Sequence, residues 1–522
     1  MISLARNRTY ETKMIPGMKL SYLLEGLTQY DLSGDPEQEI DGLVYDSRQV
    51  KPGYLFVALK GHALNGHHYL SDAIRKGAVA LVAEEFEGLQ GNQAKVRVPD
   101  SREALSKLAT QLYEHPFEGM NLIGITGTNG KTTTSYFLES MLSASGARVG
   151  VIGTINYRFL SKTVSAPVTT PESLDLLRLL REMANGDVTD VILEVSSHAL
   201  DQKRTEDCPF KVAIFTNFSR DHLDYHNTME EYFKAKSLLF QGLKNRRGQS
   251  EAIAVINADD PRGEQLASLT KARIMTYGLV QKSHVRADSI LTDRTGLRAR
   301  LITPVGERSI RSHLIGKVNI YNILAAAAAA ISLNVDIDTV VAGIETLRVV
   351  PGRLEFVQNK KGLNVMVDYA HTPDALLKTL RILRPLVDGK LITVFGCGGD
   401  RDKGKRYEMG LVAGENSDLL IITSDNPRNE NPLSIIAEIE NGAEESGLIR
   451  LNNASQKPFT GSGYFVEEDR GKAIRKAVAL AGQEDFVLIA GKGHESYQII
   501  GEERKTFDDR KEAALAASEI GS

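Results

Sequence analysis

The sequence predicts an α/β chain of three domains, with a small α/β unit first, a central parallel-sheet P-loop unit, and a Rossmann-like C-terminal unit. A chain of 522 residues has room for about three domains of ordinary size. Uninterrupted apolar runs alternate with helical stretches, the pattern of strands buried on both faces of a parallel sheet. The polar motifs fall just after those runs, at the carboxyl edge where open α/β sheets bind ligands.

Residues 1–17 carry Arg6, Arg8 and Lys13 but no apolar core of a secretory signal. They read as a flexible extension, or as residues ahead of a native start at Met18. The first unit spans 18–115, with short strands at Leu43–Tyr45, Tyr54–Leu59 and Ala78–Ala83. The central unit, 116–350, contains the runs Leu122–Thr126, Val191–Val195, Val212–Asn217 and Ala252–Asn257. The third, 351–522, repeats that grammar with Leu391–Phe395, Leu419–Thr423 and Phe486–Ala490. Leu448–Tyr464 is polar and turn-rich, and reads as a surface loop.

A net charge of −4 gives no electrostatic basis for binding nucleic acid or an anionic membrane. A substrate with several negative charges must therefore meet local basic clusters. Cys208 and Cys397 have no metal-type spacing and are expected as buried free thiols. No apolar stretch approaches a membrane span, and the alanine-rich run Ile323–Leu333 predicts a tightly packed helix.

Gly127-Thr128-Asn129-Gly130-Lys131-Thr132-Thr133 follows the strand Leu122–Thr126 and predicts an ATP site. Backbone N–H groups there can wrap a phosphate, and a helix starting near Lys131 adds a favourable dipole. Lys131 supplies charge for the outer phosphates, and Thr132 a hydroxyl for Mg²⁺. A typical P-loop has four residues between its glycines, whereas Gly127 and Gly130 enclose two. Glu194 ends the next strand, where an acid beside a P-loop can ligate Mg²⁺. Asp221, His222, Asp224 and His226 form a polar cluster suited to a second metal position. Lys236 lies on a helix beside Leu239 and Phe240, while Lys234 faces elsewhere.

These strings, with Glu194-Val195-Ser196-Ser197-His198, resemble the Mur ligases of peptidoglycan synthesis, in order from about Met18 onward. The resemblance implies a carbamate on Lys236, made from CO2, whose oxygens suit Mg²⁺. It implies one Mg²⁺ near Thr132 and Glu194 and a second near His222 and modified Lys236. The first unit, with Asp46-Ser47-Arg48 and the run ending at His62, resembles the uridine-nucleotide domain of members that extend a muramoyl dipeptide. Ser47, His62, Thr169, Thr170, Ser196, Gln202 and Arg204 match contacts to UDP-MurNAc-L-Ala-D-Glu. Asn319, Asn322 and Arg353 match nucleotide-side motifs.

Asp425-Asn426-Pro427-Arg428 resembles the signature of members that add meso-diaminopimelate. Arg428 can grip that substrate's distal carboxylate bidentately, with Arg401 sharing the work. Glu495 would take the distal ammonium, and Gly491 would allow close backbone approach. The implied reaction phosphorylates the D-glutamate side-chain carboxylate, and the diaminopimelate amine then displaces phosphate. Lys131, Arg353 and the metals would spread the developing charge, and closure of domains would exclude water. The remaining expectations are a cytoplasmic monomer that acts on small molecules. Three rivals stand: a lysine-adding member, a folylpolyglutamate-synthetase-like ligase and a P-loop regulatory ATPase. The roughly one hundred residues ahead of the P-loop argue against the second.

Overall fold

The computed structural model describes residues 17–61, 64–243, 251–280, 282–452 and 461–519. The proposed extension before Gly17, His62 and the middle of the predicted loop (453–460) lie outside the described residues. Among the described residues the first elements are a short strand Met18–Lys19 and the helix Leu20–Leu24.

A five-stranded sheet forms the first unit, in the spatial order Asp31–Ser33, Ala94–Arg97, Ala80–Ala83, Tyr54–Val57, Gly42–Val44. Its last four strands are parallel; Ala80–Ala83, Tyr54–Val57 and Gly42–Val44 are buried throughout, whereas Ala94–Arg97 buries Ala94 and Val96 and exposes Arg97. The helix Ser101–Leu112 is capped by Asp100, whose carboxylate accepts from the Arg102 and Glu103 amides at 2.9 and 3.0 Å. Its apolar face (Leu105, Leu108, Ala109, Leu112) is buried in a core shared with the central unit. Each buried leucine there contributes about 1.5–3 kcal/mol of burial free energy. Polar ties run along the same seam. Lys203 pairs with Asp100 at 2.9 Å and Glu103 at 3.0 Å, and Arg102 with Glu172 at 3.1 Å.

The central sheet has a parallel core in the order Val149–Ile152, Asp190–Glu194, Asn121–Thr126, Phe210–Phe215, Ile253–Asn257, Arg273–Gly278. It is wider than the sequence reading. Antiparallel strands flank both sides, Asn156–Phe159 and Lys162–Ser165 on one and Gly296–Thr303 and Gly306–Ser312 on the other. In Gly296–Thr303, buried Leu297, Ala299 and Leu301 alternate with exposed Arg298 and Arg300. That period of two marks a half-buried strand, not one covered on both faces. The alanine-rich run forms the end of the helix Val318–Ser332, with Leu333 as its C-cap, and Ala325 to Ala330 are fully buried against the P-loop helix and the sheet.

The third sheet runs Glu355–Phe356, Asn364–Asp368, Phe486–Ala490, Leu391–Phe395, Leu419–Ile422, Gly463–Val466, with all but the first strand parallel. The predicted loop ends earlier than expected, because Gly463 and Tyr464 open a buried strand. Both cysteines are free; Cys397 is buried, whereas Cys208 is only half-buried. Among the described residues, no helix is long and apolar enough to cross a membrane.

Candidate active site

The strand Asn121–Thr126 delivers the chain to Gly127, and the P-loop helix runs Lys131–Ala144. Gly127 (φ 145°) and Gly130 (φ 87°) occupy backbone conformations that disfavour side chains. The Thr128 and Asn129 amides donate to Asn217, at 2.8 and 3.0 Å. A phosphate cradle is therefore left to Gly130 and the first turn of the helix, whose N–H groups have no intrahelical partner. Asn322 stands over Gly130, where an added methyl would lie 2.5 Å from its Oδ1. Asn322 donates to Asn319 at 2.9 Å, and Asn319 to the Ile315 carbonyl at 2.7 Å. A methyl on Gly127 would lie 1.9 Å from Thr216 Oγ1. Gly127→Ala is expected to destabilise the loop by about 1–3 kcal/mol, read as a lower unfolding midpoint and weaker nucleotide binding by titration.

Thr132 and Glu194 meet at the tips of adjacent elements. Thr132 Oγ1 donates to Glu194 Oε2 at 2.9 Å, and both side chains are buried. Thr133, next along the helix, is buried as well. Thr154, absent from the sequence reading, also holds this carboxylate, through Oγ1 at 2.8 Å and its amide at 3.2 Å. Arg353 reaches in from the third unit, its Nη2 3.4 Å from Thr132 Oγ1. Hydroxyls gathered on one carboxylate are hard oxygen donors of the kind Mg²⁺ takes alongside water and phosphate. Among the described residues no group of three or more His, Cys, Asp or Glu could hold a metal alone. The fit is to an ion bound with its nucleotide.

Lys236 lies on the helix Met229–Gln241, its side chain buried and its Nζ donating to the Gly127 carbonyl at 3.0 Å. Lys131 Nζ donates to the same carbonyl at 2.8 Å, and to that of Thr128 at 3.0 Å. Burial, then the Lys131 charge, pushes the Lys236 amine well below the usual lysine range. Burial lowers Lys131 too. His222, in a left-handed conformation (φ 54°), packs edge-on against His198 at 4.9 Å between ring centroids. Burial lowers its pKa to about 4, so the imidazole is neutral at pH 7 and able to coordinate.

Beside Glu194 a polar wall assembles. Thr170 Oγ1 donates to the Glu194 carbonyl at 2.8 Å and accepts from the Ser196 amide at 3.1 Å. Arg204 donates to the Thr170 carbonyl at 2.9 Å and to Gln202 Oε1 at 2.7 Å. Thr169 Oγ1 is 3.2 Å from Thr154 Oγ1. Ser47 is not tied to this wall; its carbonyl accepts from Lys76 at 2.9 Å within the first unit.

In the third unit, the loops after the parallel strands bring the remaining residues together. Arg428 (φ 52°) donates to the Gly399 carbonyl at 2.7 Å. A methyl on Gly398 would lie 3.0 Å from Arg428 Nη1 and 4.0 Å from Arg401 Cγ, so both arginines flank one glycine. Burial, then Arg401, lowers the Arg428 pKa. Neither arginine is ion-paired among the described residues. Gly399 fits closely against the Pro427 carbonyl, 1.9 Å from where its Cβ would be. Asp425 Oδ2 would be 2.8 Å from a methyl on Gly491 (φ 112°), and Asn426 donates to Glu495 Oε2 at 3.1 Å.

Sequence reasoning missed several participants. Asp374 accepts from Asn129 at 3.2 Å and Ser219 at 3.0 Å, joining the third unit to the P-loop. Its signal was the string Thr372-Pro373-Asp374 opening a helix just beyond the strand Asn364–Asp368. Buried Arg406 holds Glu430 at 2.8 Å, and Glu430 accepts from the Asp400 amide at 2.6 Å, fixing the loop that carries Arg401. Lys492, inside a string already noted for Glu495, is fully buried.

Family models match residues 39–113 (Mur ligase family, catalytic domain), 125–330 (Mur ligase middle domain) and 352–493 (Mur ligase, glutamate ligase domain). A UDP-N-acetylmuramoyl-L-alanyl-D-glutamate–2,6-diaminopimelate ligase of Geobacter sulfurreducens is 46% identical, over 96% of this chain and 98% of its own. The protein of the same name from Geobacillus thermodenitrificans is 42% identical, over 96% of this chain and 100% of its own. A solved structure of a ligase of that name is 33% identical, with a TM-score of 0.66 over 96% of this chain and 99% of that one.

Proposed function

This chain belongs to the Mur ligase family, and from that premise we propose that it adds meso-2,6-diaminopimelate to UDP-N-acetylmuramoyl-L-alanyl-D-glutamate in peptidoglycan synthesis. It is an ATP-dependent ligase, and ATP is cleaved to ADP and phosphate. In this reading residues 18–115 bind the uridine nucleotide, 116–350 ATP and 351–522 the incoming amino acid, in a cytoplasmic monomer.

The observation that carries the choice of amino acid is the pair of guanidiniums, Arg428 and Arg401, flanking Gly398 without a carboxylate partner among the described residues. Diaminopimelate brings that carboxylate on its distal carbon; lysine does not. A site with unpaired positive charge rejects lysine by leaving that charge uncompensated.

The D-glutamate side-chain carboxylate attacks the γ-phosphorus of ATP, ADP leaves, and an acyl phosphate forms. The neutral amine of diaminopimelate then adds to the acyl carbon, loses a proton, and the tetrahedral intermediate expels phosphate as the amide forms. Lys131, Arg353 and the first-turn amides of the P-loop helix offset the charge that builds on the phosphoryl oxygens. Thr170, Ser196 and Arg204 present the acceptor beside Glu194, and Asn319 and Asn322 line the nucleotide side. Thr132 and Glu194 would hold one Mg²⁺, and His222 with a carbamate on Lys236 a second. Bound there, the ions withdraw charge from phosphate oxygens.

Phosphate release with the muramoyl dipeptide and a panel of amino acids tests the proposal. Release should require both the dipeptide and diaminopimelate. Equal release with lysine, or release with no amino acid, contradicts it.

A further inference from the structure

Lys492 follows the strand Phe486–Ala490, and its side chain is fully buried behind the proposed amino-acid pocket. Its Nζ donates to Glu495 Oε2 at 2.9 Å and Asn426 Oδ1 at 3.1 Å, and lies 3.9 Å from Asp425 Oδ1. Asn426 is fixed in turn, because its Oδ1 also accepts from the Ile499 amide at 2.9 Å. Asn426 Nδ2 donates to Glu495 Oε2 at 3.1 Å. One oxygen of Glu495 is thus occupied by two donors. The other, Oε1, has no partner among the described residues and is left to receive an incoming ammonium.

At the ammonium end, Lys492 offsets one of two anions, Asp425 and Glu495, and leaves a single negative charge. At the carboxylate end, Arg428 and Arg401 have no ion-pair partner among the described residues. The distal end of diaminopimelate, an ammonium beside a carboxylate, matches both. The distal end of lysine is an ammonium alone and leaves excess positive charge in a partly buried pocket.

We propose that Lys492 is a positioning and specificity-determining residue, which orients the Glu495 carboxylate and supplies the interior charge that makes a zwitterionic distal end preferable to a cationic one. It acts through Glu495 and Asn426 rather than by touching substrate. The inference rests on the diaminopimelate reading of the pocket and adds to it a second source of selectivity behind Arg428.

The test is competition between diaminopimelate and lysine, with products resolved by mass, in the full-length wild type, Lys492→Gln, Lys492→Met and Asp425→Asn. Gln keeps a donor for Glu495 without the charge, and Met removes both. Each Lys492 variant should lower the diaminopimelate-to-lysine ratio of kcat/KM by roughly tenfold or more. The loss should fall mainly on the KM for diaminopimelate, more for Met than for Gln, with the KM for ATP unchanged. Asp425→Asn, which shifts the balance the other way with Lys492 in place, should raise the ratio, and it carries the test alone if the Lys492 variants do not fold. A ratio that stays within twofold in folded Lys492 variants, or fails to rise in Asp425→Asn, overturns the inference. A wild type that ignores diaminopimelate overturns the reading it rests on as well. One that uses diaminopimelate while the ratio stays flat overturns this inference alone.

Discussion

Lys236→Met is expected to lower kcat roughly 100- to 1,000-fold, the range seen when one preorganised group that stabilises a transition state is removed. Two lysines donate to the carbonyl of Gly127, Lys131 at 2.8 Å and Lys236 at 3.0 Å. Two ammonium groups sharing one oxygen repel each other, and no carboxylate is ion-paired to Lys236 among the described residues. Burial already holds its amine well below the usual lysine range, which favours the neutral form that attacks CO2. A carbamate there, as proposed, would replace the repulsion from Lys131 with attraction and supply oxygen donors for a metal shared with His222. Methionine keeps the apolar stem that packs in the helix Met229–Gln241 and removes the nitrogen. The unfolding midpoint should therefore hold while turnover collapses. Steady-state kinetics with thermal unfolding of the same preparation separates the two, and a kcat within threefold of wild type contradicts the carbamate's role.

The second large effect belongs to Arg428. Arg428→Ala should cost about 2–5 kcal/mol toward diaminopimelate, the cost of truncating one partner of a buried charge pair. That is roughly 30-fold or more in kcat/KM. The effect on lysine should be small or opposite in sign, since lysine has no distal carboxylate to lose. Arg428→Lys should not rescue, because an ammonium cannot make two parallel bonds to a carboxylate. Arg428 also donates to the Gly399 carbonyl at 2.7 Å, so some loop order will be lost with the side chain. The ratio between the two amino acids distinguishes recognition from loop disorder, because disorder would depress both. Unimpaired use of diaminopimelate by Arg428→Ala contradicts the pocket.

Much of this architecture was legible from residues. The P-loop helix begins at Lys131 because glycine at 130 can adopt φ 87° and an N-terminal turn follows. The buried parallel strands announced themselves as unbroken apolar runs. The antiparallel strands of the central sheet did not, because a half-exposed strand such as Gly296–Thr303 alternates arginine with leucine and dilutes the apolar signal. Chemistry was less legible than fold. Lys236 and Lys492 are both interior lysines, yet lysine in a sequence reads as surface unless its partners are known. The partners of Lys492 come from two separate loops, Asp425–Asn426 and Glu495. Asp374 meets Asn129 across 245 positions of sequence, a contact that no local pattern encodes. The helix bearing Lys236 was visible as a pattern, but the meaning of its lysine came from resemblance.

Formation of the acyl phosphate is the central step of the proposed reaction, and an isotope measurement reaches it directly. UDP-N-acetylmuramoyl-L-alanyl-D-glutamate labelled with ¹⁸O in the D-glutamate side-chain carboxylate is turned over with ATP and diaminopimelate, and the released phosphate is analysed by mass. Each phosphate released should carry one labelled oxygen, matched mole for mole by ADP and by the diaminopimelate amide. Phosphate released without label, or labelled phosphate without amide, would contradict the proposed reaction.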